Sequence, residues 1–477
     1  MAKKILNYIK QGFLSDINCG DDALKTVLLI CAILTVPIII SFFVPVFALI
    51  TCLLACASLV LLKGAKKIYI LIYLLPFYHV LRLTSDGFVL SSIILGATIV
   101  FMGIEYIVDI IKKRKDPQWV VTILFLAIVI YSILPFGPLN LGAVSRFVCT
   151  ITILYLVYVN KEDLDFKAIV LMLSLGLLVA CLLEPFRDVS SRLELFLPNF
   201  YGGLKRNRFA GLTSDPNYFS VEVILVLACL VQLFFGKKLK LIFYPLFLFF
   251  SLIGLLTFSK SFFIAYVVLF IIMIVYMIVK IIKGKNNHRK NLAIFLLCGL
   301  LLLSIASPLI EIIMDRFTNG SYVSFDETFG SDILNTFTTG RSEIWIMYFK
   351  DIFSSPVTAL FGHGLGGELP ITNHGETSAH NFYIECLYCF GIVGTLLIVS
   401  LCVYLFIRTS TKQNRQFRNF IPLVAIAIML LSLNSLVSYR PYVLIIVLAY
   451  SINLKKHKIN NEKGEENAKS ISNNECL

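Results

Sequence analysis

Charge is what this sequence has least of. Only 15% of its 477 residues are Asp, Glu, Lys or Arg, against about a quarter in an ordinary soluble domain, and that scarcity excludes a soluble globular chain. Acidic residues are rarer than basic ones, 29 against 42. The resulting surplus is dealt out among short segments and not gathered into a patch, so a nucleic-acid-binding surface is excluded. Strand-like alternation of apolar and polar residues is absent, which excludes a membrane β-barrel. The first apolar run has full spanning length and no small-x-small cleavage pattern follows it, which argues against a cleavable signal peptide. The H-E-x-x-H zinc pattern and the lysine-serine ending of a P-loop are also missing.

What is present in abundance is apolar sequence, 58% of the chain, with a mean hydropathy of +0.85. A run of about 20 apolar residues crosses the hydrocarbon core as a helix, so the expected fold class is an all-α integral membrane protein. Spanning runs fall near 24–42, 45–62, 67–82, 88–110, 119–135, 143–159 and 166–186, then 217–235, 239–257, 262–282, 291–311, 381–407, 419–437 and 440–453. That makes about 14 transmembrane helices. Most of the 12 cysteines lie inside these runs and read as reduced packing residues. The Cys386-x-x-Cys389 pair falls in one of them, where packing is the expected role.

Orientation has its own signal, because short cytoplasmic loops retain an excess of Lys and Arg. Clusters such as Lys63/Lys66/Lys67, Lys112/Lys113/Arg114/Lys115, Lys237/Lys238/Lys240 and Lys455/Lys456/Lys458 recur at every second loop. This alternation puts both termini in the cytoplasm. Residues 1–23 read as an amphipathic cytoplasmic segment and 454–477 as a disordered cytoplasmic tail. Between them come helices over 24–311 with an outer loop at 187–216, a large extracytoplasmic loop over 312–380, and a final group of helices over 381–453. No long loop faces inward.

The reactive side chains gather in the two outer loops. In the first, Arg206 and Arg208 precede Asp215-Pro216-Asn217. Asp then Pro marks a helix start, with Asp as N-cap and Pro in the first turn. A helix N-terminus favours anions, so two arginines beside one suggest a phosphate-bearing ligand; interfacial arginines reaching for lipid headgroups are the plainer alternative. In the second, Arg341 opens an amphipathic run over 341–353, in which Ile344, Trp345, Tyr348 and Ile352 recur at helical spacing. The run Gly362-His363-Gly364-Leu365-Gly366-Gly367 reads as a connector. Ser378 is placed as the N-cap of the next helix, with His380 and Asn381 in its first turn. The positive end of a helix disfavours imidazolium, so His380 is expected to be neutral and able to take a proton, as a general base must. His363, His374, Glu376 and His380 lack standard zinc spacing. Neither a metal nor another cofactor is expected. Lys260 and Arg440 lie at the outer ends of spans, where a cation is costly unless paired or functional.

Four stretches, RFAGLTSDPNYFS at 208–220, LTFSKSFFIAYVV at 256–268, GRSEIW leading to LFGHGLG at 340–366, and AHNFYIECLYCFGIVG at 379–394, resemble the bacterial O-antigen polymerase and O-antigen ligase superfamily, of Wzy type. The resemblance covers the second half of the chain. It implies a fold similar to GT-C glycosyltransferases and a transfer of glycan from undecaprenyl diphosphate on the outer face of the cytoplasmic membrane. It further implies that Arg208 and Arg341 bind the donor diphosphate and that His380 assists the acceptor hydroxyl. Arg206, Asp215, Asn217, Lys260, Asn381 and Arg440 then fall among the substrate-binding candidates. Implied partners are undecaprenyl-diphosphate-linked oligosaccharide as donor and acceptor, membrane lipids, a flippase and a chain-length regulator. Where relatives often carry Ser-Arg, this chain has Ser259-Lys260, and lysine offers a point charge in place of a bidentate fork. These motifs do not separate polymerase from ligase. The Lys-, Ile- and Asn-rich composition favours a polymerase from a bacterium without lipid A. A transporter of lipid-linked oligosaccharide is the alternative from another class, but it would bury ionisable residues at the bilayer midplane.

Overall fold

The computed structural model describes residues 21–83, 89–134, 140–160, 164–189, 208–213, 215–235, 243–284, 287–318, 341–365, 369–371, 375–377, 379–409 and 421–433. These residues are helical almost throughout. In chain order the helices are α1 (Asp21–Phe43), α2 (Phe47–Leu61), α3 (Ile68–Leu74), α4 (Leu90–Ile111), α5 (Trp119–Ile133), α6 (Leu141–Val159) and α7 (Phe166–Leu183). Then come α8 (Pro216–Phe235), α9 (Phe243–Leu256), α10 (Lys260–Ile282), α11 (Asn287–Thr318), α12 (Arg341–Ile352), α13 (Pro356–Phe361), α14 (Phe382–Thr409) and α15 (Ile421–Leu430). A small antiparallel hairpin, β1 (Leu369–Ile371) with β2 (Gly375–Thr377), sits between α13 and α14, and pairs Pro370 with Glu376. The expected N-terminal amphipathic segment, the C-terminal tail and the span near 440–453 lie outside the described residues.

Seven helices, α1, α4, α6, α7, α8, α10 and α14, are long and apolar enough to cross a membrane, and α2, α5, α9 and α15 are shorter apolar helices. Their outward faces are apolar, as a lipid-facing surface must be. Leu29, Ile33 and Val36 on α1, Ile104, Ile107 and Ile111 on α4, and Leu297, Leu300 and Leu303 on α11 are all exposed. The expected span at 67–82 is interrupted, with single 3-10 turns at Gly64–Lys67 and Leu75–Phe77 flanking the short α3. Proline at 76 cannot donate to a helical ladder, which accounts for the second interruption.

The centre of the bundle is α8, which is almost entirely buried and packs against α7, α9, α10 and α15. Without a hydrophobic driving force between helices in lipid, close approach depends on small residues. Gly176 on α7 is one such point, since a Cβ there would come within 2.4 Å of the Tyr73 carbonyl. Gly254 on α9 is another, where a Cβ would overlap the Phe262 ring of α10. That second contact lets α9 and α10 fold back on each other across the short turn Thr257–Ser259.

The last long helix is broken. Gly391 has φ of 59° and ψ of −168° in the middle of α14, so residues 382–390 form one helical segment and 392–409 another. In hydrocarbon the carbonyls released by such a break must find other donors. Here the His363 N–H donates to the Tyr388 carbonyl at 2.8 Å and the Gly364 N–H to the Cys389 carbonyl at 3.0 Å. The Tyr131 hydroxyl of α5 faces the Phe390 carbonyl at 2.9 Å and the Phe361 carbonyl at 3.2 Å. The single expected span near 381–407 is therefore a short helix followed, across a kink, by a longer one.

Candidate functional site

Local sequence fixes the first part of the site. Asp215 caps α8 as its sequence position predicts, its Oδ1 accepting the Asn217 N–H at 2.8 Å. Thr213 Oγ1 donates toward the Ala210 and Asp215 carbonyls, closing the preceding loop. Gly211 has a φ of +54°, and a Cβ there would meet the Phe219 ring at 2.3 Å, so the loop folds down onto α8 only with glycine at this position. Arg208 is thereby brought over the start of α8. Its Nη2 donates to Asn217 Oδ1 at 3.0 Å, and its Nε to the Thr257 carbonyl at 2.8 Å.

Thr257 belongs to the turn between α9 and α10, where Phe258 takes a left-handed φ of 48°. The turn is held from within: Thr257 Oγ1 donates to the Gly254 carbonyl at 2.6 Å and accepts the Ser259 N–H at 3.3 Å. Ser259 then caps α10 by accepting the Phe262 N–H. Lys260 is the first residue of α10. The next residue, Ser261, is hydrogen-bonded through its hydroxyl to that of Ser432, just beyond α15. Ser432 is also the acceptor for Arg341, whose Nη1 meets its carbonyl at 3.0 Å. Arg208 and Arg341, 133 positions apart in the sequence, are thus both linked to the start of α10, Arg208 through the Thr257 carbonyl of the preceding turn and Arg341 through Ser432 and Ser261.

Arg341 opens α12 as expected, and Ile344, Tyr348 and Ile352 form its buried face against α14. Trp345 donates from Nε1 to the Ala379 carbonyl at 2.9 Å, which ties α12 to the residues just ahead of α14. There the cap differs from expectation. Asn381 is the capping residue, its Oδ1 accepting the Tyr383 N–H at 3.0 Å and the Ile384 N–H at 3.3 Å. His380 is accordingly not in the first turn of the helix; it precedes the cap, half-buried, with a left-handed φ of 47°. The reason is local: Asn competes well for the cap position, and a residue before a cap is free to leave helical geometry. Ser378 lies outside the described residues.

Of the residues expected to form the site, Arg208, Asp215, Asn217, Lys260 and Arg341 are thus linked through neighbouring contacts, and His380 and Asn381 join them through α12 and Trp345. Arg206 and Arg440 lie outside the described residues, as do His374 and the side chain of Glu376. Among the described residues no three His, Cys, Asp or Glu side chains gather into a metal-holding group. Sequence reasoning missed Thr257, Ser261 and Ser432, whose roles appear only when distant segments meet. It also treated Gly362-His363-Gly364 as a plain connector, whereas this segment is bound to the broken helix.

Residues 245–399 match the O-antigen ligase family. The match runs from α9 into α14 and takes in Lys260, Arg341, His380 and Asn381; it spans less than half of the chain. It bears out the resemblance to the O-antigen polymerase and ligase superfamily over this part of the chain, and the seven long apolar helices fit a multi-pass membrane protein. No curated protein matches the chain.

Proposed function

We propose that this protein polymerises undecaprenyl-diphosphate-linked oligosaccharide repeat units by inverting glycosyl transfer, with release of undecaprenyl diphosphate, on the outer face of the cytoplasmic membrane. The observation that carries the reading is the linkage of Arg208 and Arg341 to the start of α10, Arg208 through the Thr257 carbonyl and Arg341 through Ser432 and Ser261. Each guanidinium is held by a backbone carbonyl, Arg208 by Thr257 and Arg341 by Ser432, and preorganised charge needs no reorganisation as a leaving group develops negative charge. Lys260 adds a third cation at the N-terminus of α10, where the helix dipole itself favours an anion.

In this reading the donor diphosphate lies against Arg208, Arg341 and Lys260. The acceptor sugar hydroxyl gives its proton to His380 and attacks the anomeric carbon from the opposite side, and the bond to the diphosphate oxygen breaks as the new glycosidic bond forms. The electron pair leaves with undecaprenyl diphosphate, no covalent enzyme intermediate is needed, and no metal or cofactor takes part in any step. Both termini lie in the cytoplasm, in keeping with the alternation of basic loops. A flippase that delivers the lipid-linked unit and a chain-length regulator are the expected partners.

Transfer of the glycan to a different acceptor, as an O-antigen ligase performs, uses the same donor site and is the second reading, favoured by the description of the matching family. The donor site is tested in cells: Arg208→Ala and Arg341→Ala each abolish polymer while the protein accumulates normally. Wild-type chain lengths from either variant would sink the diphosphate assignment.

A further inference from the structure

We propose that Asp351 and His363 form a carbohydrate subsite that holds a sugar hydroxyl of the glycan away from the diphosphate. The proposal rests on the transfer reading above. Three separate elements converge to build this pair. Asp351 comes from the end of α12, His363 from the segment after α13, and the surface on which they meet from Tyr388 in the first part of α14. The His363 ring stacks on Tyr388 with centroids 4.3 Å apart and planes 16° apart. Tyr388 also interacts with the Asp351 carboxylate, and Tyr348 meets the Tyr388 ring edge-on at 4.7 Å.

The backbone around the pair is specialised. Gly362 and Gly364 both have positive φ, 77° and 83°. A Cβ on Gly362 would fall 2.5 Å from the Cys389 carbonyl oxygen and from the Gly391 nitrogen. His363 can be held on the released carbonyls of α14 only because glycine is at 362 and the helix is broken at 391. A mere connector would need none of this.

The pair is left chemically unfinished. His363 Nε2 lies 3.4 Å from Asp351 Oδ2, within ion-pair range but without an aligned hydrogen bond, and that nitrogen is buried with no hydrogen-bond partner. The two side chains are 21% and 35% exposed, so the carboxylate and part of the imidazole are reachable from solvent while Nε2 itself is covered. A hydroxyl both donates and accepts, and can therefore give its proton to the carboxylate and, as the 3.4 Å contact opens, accept from the imidazole N–H. An anion is disfavoured by Asp351. A metal ion would find one carboxylate and one imidazole, too few ligands for a closed site.

Position supplies the link to the reaction. Asp351 is ten residues after Arg341 on the same helix, which is about 15 Å along the axis and about 80° around it. A glycan attached to a diphosphate at Arg341 would reach this pair by running along α12. Contacts remote from the reacting bond hold the substrate in register and contribute binding energy to the chemistry.

The test is equilibrium binding to the purified full-length protein in nanodiscs with two probes. One is the oligosaccharide freed by mild acid from the host's own lipid-linked repeat unit, and the other is undecaprenyl diphosphate. Asp351→Asn and His363→Gln are expected to weaken the oligosaccharide about tenfold, as loss of a charge-assisted hydrogen bond does, and to leave undecaprenyl diphosphate unchanged. Absence of oligosaccharide binding to the wild type, unchanged binding to both variants, or equal loss of both probes would overturn the subsite. Arg341→Ala separates the two ideas: it should weaken undecaprenyl diphosphate and spare the oligosaccharide. If it spares both, the donor-site reading fails instead.

Discussion

Two helix starts frame the candidate site, and they were built differently. At α8 the cap and the proline after it act within a few residues of each other, and Asp215 does what its sequence position says, while the arginine ahead of them reaches both Asn217 and the distant Thr257 carbonyl. At α14 the cap is Asn381, and His380 stands outside the helix in a left-handed conformation. The preceding residue is held by Trp345 from another helix, and the helix is broken again at Gly391 by contacts with residues from α5 and the 362–364 segment. The cap of the first start is local. The second is assembled from afar, and it carries the side chain proposed to move a proton. In the proposed reaction a fixed charge site needs only to be in place, whereas a base must meet an acceptor that changes with each round of growth.

This contrast can be broken or sharpened by mutation. The largest effect is expected at His380: its replacement by Ala should cost about 100- to 10,000-fold in rate, the usual contribution of a general base, with protein level unchanged. Polymerisation at wild-type rate would show that His380 is structural. Next comes Gly391→Ala. An L-residue forced left-handed costs about 1–2 kcal/mol, and the added Cβ would lie 2.5 Å from Leu360 and Gly362 backbone atoms, so both melting temperature and activity should fall. A variant with both intact would mean the break is not needed.

Smaller changes address the caps. Asp215→Ala and Asn381→Ala should each lose about 1 kcal/mol of stability, read as a lower melting temperature in detergent. Ser378→Ala should change it least, within about 0.5 kcal/mol. A larger loss at Ser378 than at Asn381 would restore serine as the cap and put His380 back inside the helix.

How much of this was legible in the sequence follows from the range of each interaction. The helical membrane class, the α8 cap and the amphipathic α12 depend on neighbours a few residues apart, and each could be read from spacing. The break in α14 could not, because a lone glycine in an apolar run is unremarkable until Tyr131 and Gly362 are seen against it. The same holds for the bridge from Arg341 through Ser432 to Ser261, whose members are 91 and 171 positions apart. Lys260 drew the eye as a charge near a membrane, yet the hydroxyls on either side of it do the joining, Ser259 as cap and Ser261 as link. The resemblance to the O-antigen superfamily pointed at these segments without saying what holds them together.

The central claim is that this chain alone transfers glycan from a lipid diphosphate. It is tested most directly by reconstituting the purified protein in liposomes with undecaprenyl-diphosphate repeat units and following glycan length and released undecaprenyl diphosphate together. The account predicts that chains grow, that one undecaprenyl diphosphate is released for each unit added, and that Arg341→Ala does neither. Movement of the lipid-linked unit across the bilayer with no new glycosidic bond would contradict it.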